Sequence, residues 1–245
     1  MINIHSVETF GTHEGPGIRF VVFVQGCDFS CLYCHNPDSQ ALVGSQQLLA
    51  DDLVEMIEKE LPYFGEKGGV TISGGEPLLQ AKEISELFKK LKSREIHTAI
   101  DTNGSILNKD VKELLKYTNL VLLDIKHIDP VWHEKITGFQ VAEKTVPSII
   151  FADYLHSQNI PFWIRYVLVP GYTDQIEYLN LTAHALSHYD NLERIEILPY
   201  HTMGEYKYNK LGIEYKLKGA KPPTVEEIQK AKQILEKSGK RVLVR

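Results

Sequence analysis

Cys27, Cys31 and Cys34 are the only cysteines in the 245-residue chain, and they share one short window with the spacing C-x3-C-x2-C. An odd number gathered in one segment is no disulfide framework. Packing alone would scatter such small side chains through a core rather than collect them. The remaining chemistry is ligation. With His35 the three cysteines supply four groups able to bind zinc. Adjacent Cys34 and His35 would reach one tetrahedral ion only under strain, and no second Cys/His pair completes a finger. A cubane iron–sulfur cluster usually takes four thiolates. Three would leave one iron without a protein ligand and open to a substrate, as an open position separates catalytic from structural zinc sites. Ligand geometry favours the iron–sulfur reading. A zinc-binding interaction module using Cys27, Cys31, Cys34 and His35 stays open as the alternative.

Other polar groups recur where apolar runs end. Ser73-Gly74-Gly75-Glu76-Pro77 follows one such run, Asp101-Thr102-Asn103-Gly104 the next, and Asp124-Ile125-Lys126 the one after. Arg165 lies inside the apolar run 162–167, where it would be costly to bury without a carboxylate partner. Pro199-Tyr200-His201 ends the last run. Lys126 would equally suit a structural salt bridge at the rim of the fold. The other histidines, His97, His127, His133, His184 and His188, form no constellation and read as packing or surface residues.

The elements that must place these groups are short runs rich in Val, Ile, Leu, Phe and Thr at 19–26, 69–73, 96–102, 120–126, 161–169 and 194–200. None alternates cleanly, as expected for parallel strands covered on both faces. Helical periodicity lies between them, clearest at Ile84, Leu87, Phe88 and Leu91 within 80–93. Further helices are expected over 46–61, 108–117, 141–157 and 174–188. A last one, 224–238, opens with the capping box Thr224-x-x-Glu227 and ends at Gly239. Alternating strands and helices make an α/β fold, and six strands in one direction fit a doubly wound sheet or a barrel. In a barrel the strand ends converge on one face, where such folds build active sites. No linker or composition shift divides the chain, so one domain over 1–245 is expected, with the cysteine loop at 26–36. The Tyr-, Lys- and Gly-rich stretch 204–223 reads as an ordered surface excursion.

The composition, 43% hydrophobic and 24% charged, supports a sizeable core. A net charge of -5 argues against a nucleic-acid footprint and a polybasic membrane anchor. No apolar run has the length of a membrane span and the amino terminus shows no secretory pattern, so a cytoplasmic protein is expected.

The loop Cys27–Cys34 resembles that of the radical S-adenosylmethionine (SAM) enzymes, and the likeness extends to Gly74-Gly75-Glu76-Pro77. The resemblance implies a partial (βα)6 barrel. It implies a [4Fe-4S] cluster on the three cysteines whose open iron is chelated by SAM, and reductive cleavage of SAM to methionine and a 5′-deoxyadenosyl radical. It further implies that Gly74, Gly75 and Glu76 lie against SAM's amino group and that Tyr33, Cys34 and His35 meet its adenine. Asp101, Asp124 and Lys126 could hold its charged methionine end, with a monovalent cation at Asp101, Thr102 and Asp124, and Asn103 and Ile125 are further candidates for binding the cofactor. Arg165 would pair with a carboxylate of SAM or of the protein, and His201 would reach the ribose or adenine.

A narrower resemblance is carried by Glu14-Gly15-Pro16-Gly17-Ile18-Arg19, which is similar to the Asp-Gly-Pro-Gly-Ile-Arg of glycyl-radical enzyme activases, with Glu14 replacing Asp. Cys34-His35-Asn36-Pro37, the run 163–167, Leu198-Pro199-Tyr200-His201 and 214–223 add to it. With no cysteine outside the loop, the one-cluster type is indicated. The implied substrate is a glycine of a glycyl-radical enzyme, pyruvate formate-lyase foremost, with a different glycyl-radical enzyme as the alternative. The implied electron donor is flavodoxin or ferredoxin. A protein substrate needs docking surface, for which 204–221 is the candidate. Its deletion is expected to impair activation and spare SAM cleavage.

Overall fold

In the computed structural model, which describes residues 1–42, 46–142 and 144–245, the apolar runs are strands with little exposed side chain. Two compact units emerge, one of residues 1–28 and 39–122, the other of 29–38 and 123–245.

The first unit contains β1 (Ile2–Gly11), β2 (Arg19–Val24), β3 (Gln46–Leu48), β4 (Gly69–Gly74) and β5 (His97–Thr102). Its helices are α1 (Ala50–Phe64), α2 (Ala81–Lys92) and α3 (Lys109–Leu115). β2, β4 and β5 pair in parallel, while β1 runs antiparallel to β2 and β3. Val21, Val22, Val70, Ile72, Ala99 and Ile100 are fully buried, so both faces of the parallel strands are covered. β6 (Leu120–Asp124) carries the boundary between the units.

The second unit continues with α4 (Pro130–Thr137), α5 (Pro147–Ser157), β7 (Phe162–Leu168), α6 (Ile176–Leu186), β8 (Leu192–Pro199), α7 (Glu205–Leu211), α8 (Val225–Leu235) and β9 (Arg241–Val244). β7, β8 and β9 are parallel. The strand order is β3-β1-β2-β4-β5-β6-β7-β8-β9, a mostly parallel α/β arrangement as expected. Thr224 and Glu227 form the capping box of α8, and Gly239, at φ +75°, ends the short turn that follows it.

Three strands were not anticipated. β1 is buried at its start, at Ile2 and Ile4, and exposed further on, at Ser6, Glu8 and Phe10, so it lacks the unbroken apolar run of its neighbours. β3 replaces the start of the helix expected over 46–61, because Gln46–Leu48 pair with Ile2–Ile4. β9 closes the other edge. α4 was also missed, although Asp129, whose carboxylate accepts from Trp132 N at 2.9 Å, and Pro130 announce it. The helix expected over 141–157 begins only at Pro147, and Glu143 lies outside the described residues.

Candidate active site

In the first unit the cysteine segment begins as β2 ends. Gly26 turns the chain at φ +101°, its N–H donating to Ser39 O at 2.7 Å, and Cys27 N donates to Gln40 O at 3.1 Å. Gly26 O accepts from Glu76 N at 2.7 Å, and Gly75 N donates to Val24 O at 2.9 Å. The two glycines therefore have a reason in the fold itself. A Cβ at Gly74 would come within 2.5 Å of Val24 N, and one at Gly75 within 2.0 Å of Gly26 O.

Glu76 is fully buried, and its carboxylate accepts from Leu78 N at 2.9 Å, Thr102 Oγ1 at 2.6 Å and Asn103 N at 2.8 Å. Burial pushes its pKa up to about 8, against the opposing effect of those donors. The Glu76 side chain ties the end of β4 to the end of β5. Thr102 belongs to the same network. Its hydroxyl donates to Glu76 and accepts from Gly104 N at 3.0 Å, and its side chain is buried. Asp101 points to the other side of β5 and accepts from Ser73 Oγ at 2.7 Å. Asn103 donates to Asp28, next to Cys27, at 3.2 Å.

In the second unit Cys31 sits between two main-chain bonds to the end of α4, Ser30 N to Thr137 O at 2.7 Å and Leu32 N to Ile136 O at 2.9 Å. Cys34 N donates back to Cys31 O at 3.1 Å. None of the three cysteines is in a disulfide, and burial pushes the Cys31 thiol up to about 12. The Lys126 ammonium lies 2.6 Å from an Asp124 oxygen and 5.9 Å from the centre of the Tyr33 ring. Burial opposes its charge, but Asp124, with Cys31 and Tyr33, outweighs this and holds the amine well above its usual range. Tyr33 carries a buried hydroxyl with no hydrogen-bond partner among the described residues. Ile125 N is taken by Arg165 O at 3.0 Å.

Arg165 faces the carboxylate that its burial demanded, Glu196, at 4.0 Å. Glu196 is fully buried and also holds Arg194 at 2.7 Å and Arg245 at 2.9 Å. The His35 and His201 rings meet edge to face at 5.0 Å, and burial, then His201 and Lys207, lowers the His35 pKa.

Sequence reasoning missed the residues behind Cys34. The stretch 204–223 is not a surface excursion throughout. Tyr208, Tyr215 and Leu217 are buried with Val169 and Tyr200, and Leu32, Tyr33 and Cys34 pack against them. Tyr208 donates its hydroxyl to Cys34 O at 3.0 Å, and Lys207 donates to Asn36 at 2.6 Å. Only the abundance of tyrosine there hinted at burial, and the weak periodicity hid it.

Among the described residues no three His, Cys, Asp or Glu side chains are gathered to hold a single metal ion.

The profile of the Radical SAM superfamily matches residues 21–181. The pyruvate formate-lyase-activating enzyme of Staphylococcus epidermidis is 43% identical over 97% of this chain and 96% of its own length. The pyruvate formate-lyase 1-activating enzyme of Escherichia coli is 41% identical over 98% of this chain and 97% of its own. Among solved structures, a domain of a pyruvate-formate lyase-activating enzyme from Bacteroides vulgatus aligns at TM-score 0.59 and 26% identity, over 73% of this chain and 99% of that one. Streptococcus suis SuiB bound to its precursor peptide aligns at TM-score 0.71 over 98% of this chain and 50% of its own, and at 16% identity shows the fold alone. The cysteine loop, the mostly parallel α/β fold and near-full-length identity agree, and the chain belongs to the radical SAM superfamily and, within it, to the family of these activating enzymes.

Proposed function

We propose that the chain activates pyruvate formate-lyase by placing a radical on one of that protein's glycines. The observation that carries this reading is the segment Cys27–Cys34, three cysteines on a turn fixed by main-chain bonds, in a chain 43% identical to an activating enzyme of that lyase. The donor set fits a [4Fe-4S] cluster with one iron open, and Cys27, Cys31 and Cys34 would hold it. When bound, the cluster would pass one electron, supplied by flavodoxin or ferredoxin, to SAM, whose sulfonium–C5′ bond would break to give methionine and a 5′-deoxyadenosyl radical able to take a hydrogen atom from glycine Cα.

The chain's own residues have separate tasks in this reading. Gly75 and Glu76 offer main chain beside the first cysteine, and Asp101 and Asn103 stand at the end of β5. The Asp124–Lys126 pair offers both signs of charge to an amino-acid end. Ile125 contributes main chain beside that pair. Arg165 supplies a cation to a carboxylate, held in place by Glu196. Tyr33 and His35 border the third cysteine, and exposed His201 lies against the His35 ring. We infer that the two units act as one radical SAM domain over 1–245, in support of which the family profile runs across their boundary. No helix is long and apolar enough to cross a membrane, in keeping with a cytoplasmic site of action.

Docking of the lyase falls to the outward side of 203–213, where Met203, Tyr206, Leu211 and Ile213 are exposed. Deleting the whole stretch would also remove Tyr208 from Cys34. Sparing of SAM cleavage is therefore expected for Tyr206→Ser and not for the deletion.

Anaerobic electron paramagnetic resonance after dithionite reduction tests the reading. A reduced-cluster signal perturbed by SAM and, with pyruvate formate-lyase added, a glycyl doublet on the lyase are expected. A SAM-responsive cluster without the doublet removes the substrate. No cluster after iron and sulfide reconstitution removes the chemistry.

A further inference from the structure

The chain that follows β8 lies directly against the third cysteine. Gly204 is close enough to the loop that a Cβ there would come within 3.2 Å of His35 Cα, 3.3 Å of His35 O and 3.5 Å of Cys34 O. From that contact α7 carries Lys207 to Asn36 and Tyr208 to Cys34 O. The Tyr208 ring is backed edge-on by Tyr215 at 4.8 Å, and the Tyr215 hydroxyl meets that of Tyr200 at 2.6 Å. Tyr200 is in turn fixed to the sheet by its N–H, which donates to Leu168 O at 3.0 Å. All three tyrosines are buried. They form a strut from the end of β8 to one peptide, that of Cys34, whose N–H is already closed onto Cys31 O.

We propose that Tyr208, braced by Tyr215 and Tyr200, is a positioning residue for the cluster, orienting the Cys34 peptide and setting how readily the cluster accepts its electron. The inference rests on the cluster reading of the preceding section. The carbonyl of a ligating residue presents the negative end of a peptide dipole close to the cluster. A hydroxyl donated to it offsets that charge and favours the reduced state, as hydrogen bonding and local charge tune iron–sulfur potentials.

The test uses the full chain with its cluster reconstituted anaerobically, as wild type, Tyr208→Phe and Tyr215→Phe. Iron and sulfide content, the apo-protein melting temperature and the reduced-cluster resonance at the wild-type midpoint potential are read for each. Tyr208→Phe is expected to hold full iron, to shift the g values, and to show a ratio of reduced to oxidised cluster about threefold lower, the scale of one ordinary hydrogen bond. Tyr215→Phe should shift the ratio in the same direction by less. A Tyr208→Phe protein with full iron, unchanged g values and an unchanged ratio overturns the proposal. Loss of iron with a matching fall in the apo melting temperature also overturns it, because Tyr208 then serves packing alone. A wild-type chain that takes up no cluster refutes the function reading instead, and the strut loses its object with it.

Discussion

Cys27 is held by its own main chain to Gln40, beside glycines whose missing side chains let two backbones touch. Cys34 is held by the hydroxyl of a tyrosine 174 residues away in sequence. Both cysteines belong to one turn, yet their supports differ in kind. The first is a continuation of the sheet, where Gly74 and Gly75 meet main chain of the neighbouring strand end and the Glu76 carboxylate is buried. The second depends on a few side chains from a seven-residue helix and on the end of α4. A main-chain anchor fixes where the loop starts. A side-chain anchor can be retuned by single substitutions without loss of the fold, which is useful where a cofactor's environment must be adjusted.

The largest effect should come from the end that has no slack. Gly75→Ala places a methyl 2.0 Å from Gly26 O, and the next nearest atoms are also Gly26 main chain. A loss of about 3 kcal/mol or more in urea unfolding of the apo protein is expected, as neither backbone can retreat. A loss below about 1 kcal/mol would show that this end yields after all, and the contrast with Cys34 would fall.

Glu76→Gln probes the same end through its carboxylate. The amide nitrogen would face the N–H of Leu78 or Asn103, costing about 1–3 kcal/mol for an unsatisfied buried donor. The pH dependence has a definite sign. Burial raises the folded pKa from 4.5 to about 8, so between these values the folded state keeps a proton that the unfolded state has released. The stability Glu76 contributes is full below about 4.5 and is lost as pH rises through about 8. The stability gap between wild type and Glu76→Gln should therefore narrow over that window. Burial lowers His97 and His133 to about 4, and their opposite trend cancels in the difference between the two proteins. A gap that widens with pH would mean the carboxylate stays ionised.

The two anchors were also unequally legible in the sequence. The strands declared themselves because Val, Ile and Leu run unbroken where both faces are buried, and the cysteines declared themselves by spacing. Glu76 and Thr102 stood out in the sequence through the family resemblance and as polar residues at strand ends, which says nothing of how they meet. Their mutual hydrogen bond depends on β4 and β5 being neighbours in register, which no local pattern reports. Tyr208 and Lys207 were invisible for the same reason. Each serves a residue more than 100 positions away, and a tyrosine that ends a buried strut has no periodicity to mark it.

At the second anchor Gly138→Ala should do less than Gly75→Ala. Gly138 ends α4 at φ +69°, and the added methyl would meet Ser30 Oγ, a side-chain atom able to rotate away. The cost is then mainly the left-handed backbone, about 1–2 kcal/mol in unfolding. Because Thr137 O and Ile136 O hold Ser30 and Leu32, the variant should also lose iron to a chelator faster than wild type. Unchanged iron loss would show that the end of α4 does not secure Cys31.

Lys207→Met should have the smallest effect. The ammonium is 2.6 Å from Asn36 and 3.7 Å from Asp38, on a side chain 19% exposed. Its ion pair is partly solvated, and replacing it while keeping the apolar stem should cost about 0.5 kcal/mol at low salt. The part owed to Asp38 should fade near 1 M salt, where screening acts over about 3 Å, and the part owed to the Asn36 carbonyl should persist. A cost above about 2 kcal/mol, unaffected by salt, would make Lys207 as rigid a support as the main chain at Cys27. The adjustable end would then reduce to Tyr208 alone, because no other side chain of α7 donates to the loop among the described residues.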